Sequence, residues 1–265
     1  MGNSHPSGRS FRSKLAKKKS LQKLINSESL KQQPIYDPSK FHLPKNDKDI
    51  DRMHEQHFLF QHIWECNFSS PIERTLHEPA IVLDVGCGPG TWLLEMSTTY
   101  PQSQFYGIDI AHAFPKEIKP GNLEFIQSDI TNGIKFDDDY FDFVRMSLLA
   151  TFLQEDKWVR VLRELIRVLK PGGYIEIIEH ELQYNIGPCF STLVTPCSAH
   201  GGQTGKVFEE LLKSYFENTV VDLLPWYMEI SKEKYLELWK SCHKEFKNRA
   251  SSTKLHKFWG MKIGQ

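Results

Sequence analysis

Large apolar residues are sparse over the first 33 positions and then fall into register at Asp47, from which Met53, Gln56 or His57, Phe60, Ile63 and Trp64 mark one helical face as far as Cys66. The spacing predicts a helix over Asp47 to Cys66. From Glu78 the pattern becomes short apolar runs alternating with helical stretches. Strands are expected at Ala80 to Val85, Gln104 to Asp109, Leu123 to Gln127, Phe141 to Met146 and Gly173 to Glu179, with helices near Thr91 to Thr99 and Asp156 to Leu169. Lys170-Pro171-Gly172-Gly173 stops the last of these helices and turns the chain into a strand. Beyond it, residues 180 to 205 carry loop signals (Asn185-Ile186-Gly187-Pro188 and the glycines from Gly201 to Gly205). A helix is expected at Lys206 to Glu217, a strand at Thr219 to Leu224, a helix at Lys232 to Lys247 and a closing strand at His256 to Ile263. Such alternation predicts an α/β fold with right-handed crossovers and a parallel sheet that takes its ligand at the carboxyl ends of the strands.

Length adds that 265 residues suffice for one such domain with appended segments. We divide the chain into a disordered basic tail (1–33), an N-terminal arm with a lid helix (34–78) and a ligand-binding domain (79–265) with a substrate-cover insertion at about 180–217. The net charge of zero hides a split, since residues 1–31 hold eight Lys/Arg against Glu28 alone, leaving −7 on the rest. The tail, with Lys17, Lys18 and Lys19, reads as a solvated segment that could also engage a regulatory protein. The acidic remainder argues against a nucleic-acid partner. No uncharged run approaches the ~18 residues of a membrane span. Pro6 occupies the place where an N-myristoylation signal needs Ser or Thr. The cysteines Cys66, Cys87, Cys189, Cys197 and Cys242 form no CxxC pair, and Cys189 and Cys197 with His200 lack a fourth ligand at familiar spacing. Free thiols, no metal, and a cytoplasmic or nuclear location are expected. His54 and His57 share a helix face but lack a carboxylate partner for a metal.

The chemistry concentrates in Ile81 to Gly90, IVLDVGCGPG. An apolar strand ends in Asp84, and Gly86, Gly88 and Gly90 with Cys87 between them make a tight turn into a helix, a place for the anionic end of a ligand. Glycine loops also serve dinucleotides, but their usual spacing is wider, and Asp84 would repel a pyrophosphate while suiting an ammonium. Asp109 ends the next strand 19 residues after Gly90 and can accept both hydrogen bonds of a ribose diol, with Ile110 beside it. Asp129 and Ile130 follow at the third strand end, where a carboxylate can take an adenine amino group; the alternative for Asp129 is an Asx turn before Gly133. The fourth strand delivers Arg145 and Met146, the latter either flanking the ligand or serving as core.

Together these stretches resemble the class I S-adenosylmethionine (SAM) dependent methyltransferases over residues 80 to 180, including Arg167-Val168-Leu169-Lys170-Pro171-Gly172-Gly173. A further resemblance, to the fungal methyltransferases that include velvet-associated regulators of secondary metabolism, rests on Leu43-Pro44-Lys45-Asn46-Asp47, Asp51-Arg52, His57, Gly90-Thr91-Trp92, Tyr100-Pro101 and Gly173-Tyr174-Ile175-Glu176. The resemblance implies a Rossmann-like seven-stranded sheet with an N-terminal helical lid and a C-terminal cap. It implies SAM as cofactor and transfer of its methyl group, and it defines no acceptor: small molecule and protein stay open. His180 at the fifth strand exit is the candidate base by position, and His112 the second. A SAM-binding regulatory protein without catalysis is the alternative, and a nicotinamide oxidoreductase is disfavoured by Asp84.

Overall fold

At the centre of the sheet lies β1 (Ile81–Val85), four of whose five residues are buried. Strands buried on both sides need parallel neighbours whose helices cover the two faces, and β1 pairs in parallel with β2 (Gln104–Asp109) and β4 (Phe141–Ser147). In the computed structural model, residues 46–153, 155–180, 185–186, 194–196, 202–248 and 251–264 are described. β3 (Leu123–Gln127) flanks β2, β5 (Leu169–His180) flanks β4, and the antiparallel β8 (Ser251–Met261) closes the order β3-β2-β1-β4-β5-β8. The main sheet is therefore mixed and of six strands among the described residues, against the seven expected. The expected strand at Thr219 to Leu224 is absent, and β8 begins at Ser251 rather than His256, its first residues pairing with the short β6 (Asn185–Ile186) and β7 (Val194–Pro196) instead of with β5.

Helices cover both faces. On one, α2 (Glu73–His77) and α3 (Thr91–Thr99) set Leu76, Trp92, Leu93 and Met96 on Val82, Phe105 and Phe143. On the other, α4 (Glu155–Val168) buries Val161, Leu165 and Val168, spaced as one helical stripe, against Leu83, Val85, Ile108, Val144 and Met146. α1 (Asp47–Trp64) starts at an Asn46 cap whose Oδ1 accepts the Asp49 amide at 3.2 Å, and it ends where Glu65 takes a left-handed φ of 54°. Its Leu59 and Phe60 join Ile178 of β5, Leu255 of β8 and Phe208 and Leu211 of α5 (Gly202–Ser214) in a third apolar cluster.

The C-terminal part departs from expectation. Gly202 and Gly205 lie within α5, and a π-helical turn (Tyr215–Thr219) continues that helix. Thr219 to Leu224 is not a strand: the Val220 carbonyl accepts the Leu223 and Leu224 amides, and α6 (Leu224–Tyr227) follows with a proline in its first turn. Val220, Val221 and Leu223 are buried all the same. The run was apolar because it is core, and local turns satisfy its backbone where no strand offers itself. α7 (Lys232–Asn248) precedes β8. The basic tail, Leu43-Pro44-Lys45, Cys189, Cys197 and His200 lie outside the described residues.

Phe105 of β2, wholly buried in one cluster with Val82 of β1 and Leu93 of α3, is the natural probe of this core. Phe105→Ala should cost about 3–5 kcal/mol, read as a lowered urea midpoint with unchanged slope.

Candidate functional site

The turn leaving β1 needs glycine on two counts. Gly86, Gly88 and Gly90 all have positive φ, at 71°, 56° and 77°. A side chain at Gly88 would also place its Cβ 2.6 Å from Cε of Met53 on α1. The loop is tied to β2 from both directions: the Gly86 and Cys87 amides donate to the Ile108 carbonyl at 2.8 and 3.1 Å, and the Gly88 amide donates to Oδ2 of Asp109 at 2.8 Å. The other Asp109 oxygen accepts the Ala111 amide at 2.8 Å. Burial pushes the Asp109 carboxyl up, and the amides of Ala111, Gly88 and Ile110 oppose that by favouring the anion. Asp109 thus stands at the carboxyl edge of the sheet with the glycine turn held to it. A helix start leaves its first amides without intrahelical partners, and α3 opens directly from this turn with Leu94 donating back to the Gly90 carbonyl at 2.9 Å.

Asp84 has a different partner from the ligand ammonium expected of it. In register with it on β4 is Arg145, whose Nη1 donates to Asp84 Oδ1 at 2.9 Å while its guanidinium lies 4.7 Å over the Trp92 ring. Cross-strand neighbours on one sheet face meet directly, and a carboxylate 2% exposed requires a cation close by. Burial raises the Asp84 carboxyl, and Arg145 pulls it back. One strand further, opposite Arg145, Glu176 of β5 is fully buried and accepts the Ser69 and Ser70 amides at 2.7 and 2.9 Å through Oε2.

The remaining expected residues separate into edge and core. Ile110 is exposed beside Asp109. Asp129 caps the 3-10 turn Ile130–Asn132, accepting from the Thr131 amide and hydroxyl at 2.9 and 2.7 Å and from Asn132 at 3.0 Å. Ile130 and Met146 are buried in the apolar layer beneath α4. Cys87 is buried, and burial together with Asp84 and Asp109 drives its thiol well up, which suits space filling and not nucleophilic attack. His180 ends β5 opposite Leu255, half-buried. Strand alternation puts it on the face of Ile178, toward α1. His112 is exposed, its ring 4.8 Å from that of Phe114. Among the described residues no three His, Cys, Asp or Glu gather as metal ligands.

Sequence reasoning missed how the arm meets the loop. His54 Nδ1 lies 2.7 Å from Thr91 Oγ1 and His57 Nε2 3.0 Å from Glu95 Oε2, while Gln61 and Asn67 donate to the other Glu95 oxygen. The two histidines that invited a metal reading instead fasten α1 along α3. At its other end, Asp49 accepts from the Thr219 hydroxyl and Arg52 stacks 5.4 Å over Tyr215. A polar residue every three or four positions beside the apolar stripe was the visible sign of this second helix face. Glu179 was also missed: it accepts the Leu149 and Ala150 amides at 2.8 and 3.1 Å, steadying the turn whose Leu149 packs on Gly86.

Two measurements check these assignments. Arg145→Met leaves Asp84 buried without its cation and should cost about 3–5 kcal/mol, whereas Asp84→Asn combined with it should cost less than the two changes summed, by urea unfolding. His57 is the second. Its folded pKa is held below the unfolded value of about 6.5 by burial, with Glu95 opposing. Its contribution is therefore complete above that value and is lost as pH falls through it, because the unfolded chain takes the proton first. Thermal midpoints should drop more steeply between about pH 7.5 and about pH 5.5 in the parent than in His57→Gln.

Residues 82–173 match the family model described as a methyltransferase domain. The chain is 25% identical over 145 residues to the secondary metabolism regulator laeA of Coprinopsis cinerea, covering 53% of this chain and 36% of that protein. It is 28% identical over 141 residues to the N-methyltransferase verN of Clonostachys rogersoniana, covering 52% and 49%. The match thus spans less than half the length of either relative. Among solved structures, a SAM-dependent methyltransferase from Aquifex aeolicus aligns with a TM-score of 0.38 at 26% identity, covering 56% of this chain and 75% of that one. With a parallel sheet ordered β3-β2-β1-β4-β5 and the glycine turn tied to Asp109, residues 82–173 match a methyltransferase domain, and the chain is similar there to methyltransferases and regulators of fungal secondary metabolism.

Proposed function

We propose that this chain transfers a methyl group from SAM to an acceptor that is a small molecule or a protein. The observation that carries the reading is the Asp109 carboxylate at the carboxyl edge of β2, bonded to Gly88. An acid so placed keeps lone pairs for a vicinal diol, and the turn beside it gives a ligand close access to backbone. Gly86, Gly88, Gly90 and the start of α3 would hold the amino-acid end of SAM, Asp109 and Ile110 its ribose, and Asp129 with Ile130 its adenine. Asp84 would act on the ammonium jointly with Arg145, which already balances its charge. Bound there, SAM supplies an electrophilic methyl on a sulfonium. The residues around it contribute alignment and exclusion of water, which can supply much of the rate of an in-line displacement.

In this reading α1 is the lid, because Met53 touches Gly88 and His54 touches Thr91. The segment about 180–217 with α6 and α7 is the cap over the acceptor, and a further strand beside β8 would complete seven. His180 is the base where an acceptor must lose a proton, supported by its place at the end of β5. A relative named as a protein-methionine methyltransferase supports a protein among the acceptors, and the basic tail would serve a regulatory partner. A cytoplasmic or nuclear setting fits the free Cys66, Cys87 and Cys242 among the described residues; no helix among the described residues is long and apolar enough to cross a membrane.

Isothermal titration with SAM should show one site, weakened about tenfold to a hundredfold in Asp109→Ala. No binding by the parent would overturn the proposal. Labelled SAM incubated with cell extract should pass its methyl group on; binding without transfer would show a catalytically silent regulator instead.

A further inference from the structure

Away from the glycine loop, where α1 hands over to the loop that precedes α2, the chain assembles a nucleophile, an amine and an acid. Cys66 carries a free, half-buried thiol. Lys257, projecting from β8 on the same sheet face as Leu255, brings Nζ to 3.7 Å from Cys66 Sγ. The amine is 3% exposed, sits 4.6 Å over the Trp64 ring and lies 3.9 Å from Oε1 of Glu176. That carboxylate oxygen is buried and has no hydrogen-bond partner. The lysine therefore cannot swing out to solvent as surface lysines do. Burial favours its neutral, nucleophilic form, against the pull of Glu176 and the thiol. The thiol, in contrast, is reachable. Cys66 lines a cleft of about 260 Å³ together with Asn67, Phe68, Glu73, Met96 and Tyr100, room enough for a small oxidant.

We propose that Cys66 and Lys257 form a peroxide-responsive covalent link between the end of α1 and strand β8. Hydrogen peroxide entering the cleft oxidises the thiol to a sulfenic acid and is itself reduced to water. The Lys257 amine then attacks that sulfur, forming an S–N bond and expelling the sulfenic oxygen as a second water. The net change is the loss of two hydrogens, one from sulfur and one from nitrogen. A thiol reverses it by attack at sulfur, which returns the amine. Because α1 carries Met53 and His54 against the glycine turn, the link would fix the arm's far end to the sheet. The chemistry itself needs no methyl transfer, so it stands or falls apart from the activity proposed above.

The test is peptide mapping by mass spectrometry of the full chain after hydrogen peroxide treatment. The expected product joins the Cys66 peptide to the Lys257 peptide, lighter by two hydrogens and separated again by dithiothreitol. Lys257→Arg should abolish the link and let Cys66 proceed to sulfinic acid, and Cys66→Ser should abolish it outright. Recovery of Cys66 from the parent protein only as unmodified thiol, as an oxidised acid, or in a disulfide would overturn the proposal. Circular dichroism of both variants shows whether they keep the fold.

Discussion

A charge buried in a sheet has to be answered within the sheet, and the Asp84–Arg145 pair is where this fold meets that demand. The pair joins the middle strand to its neighbour at the level where the glycine turn begins, and Trp92 covers the guanidinium with the first turn of α3. Each element is thereby placed by one contact. The turn must leave β1 beside Asp84, α3 must begin where Trp92 can stack, and β4 must keep its register to present Arg145. Buried pairs of this kind add little net stability but penalise every arrangement that separates them. Here the penalised arrangements are those in which strand register or the entry of α3 slips.

The same logic extends along the sheet face. Glu176 sits in register with Arg145 one strand on, and the loop that follows α1 supplies the amides that satisfy it. Polar residues on this face thus recruit the arm, while apolar residues of α1 settle against β5 and β8. The arm is held through polar contacts at both ends and an apolar seam at its far end, an arrangement quite unlike a helix resting on a sheet by area alone.

How much of this was legible follows from what each signal encodes. The five parallel strands, α3 and α4 were readable because apolar period and glycine punctuation are local properties, and Asp109 was readable because a strand end fixes its position. Asp84 could be placed but not partnered, since its cation comes from β4 and registers between strands 61 residues apart leave no local mark. Met146 and Arg145 are consecutive and point to opposite faces, so which of them shares the face of Asp84 had to come from the sheet itself. His54 and His57 could be placed on one helix face but not partnered, because Thr91 and Glu95 are distant in sequence. The apolar run at Thr219 to Leu224 misled because burial and strand have the same signature over six residues.

The contact of Met53 with Gly88 makes arm docking and ligand entry a single thermodynamic problem. Two events that share a surface are linked, and linkage is reciprocal: by whatever factor docking of the arm changes the loop's ligand affinity, the ligand changes the docking equilibrium by the same factor. Asp49 and Thr219 touch neither the loop nor Asp109, yet they set how firmly α1 is seated. On the proposed reading, the affinity for SAM is therefore a property of the whole arm, and a chain shortened before Asn46 is comparable with the full one only if its helix is seated equally well.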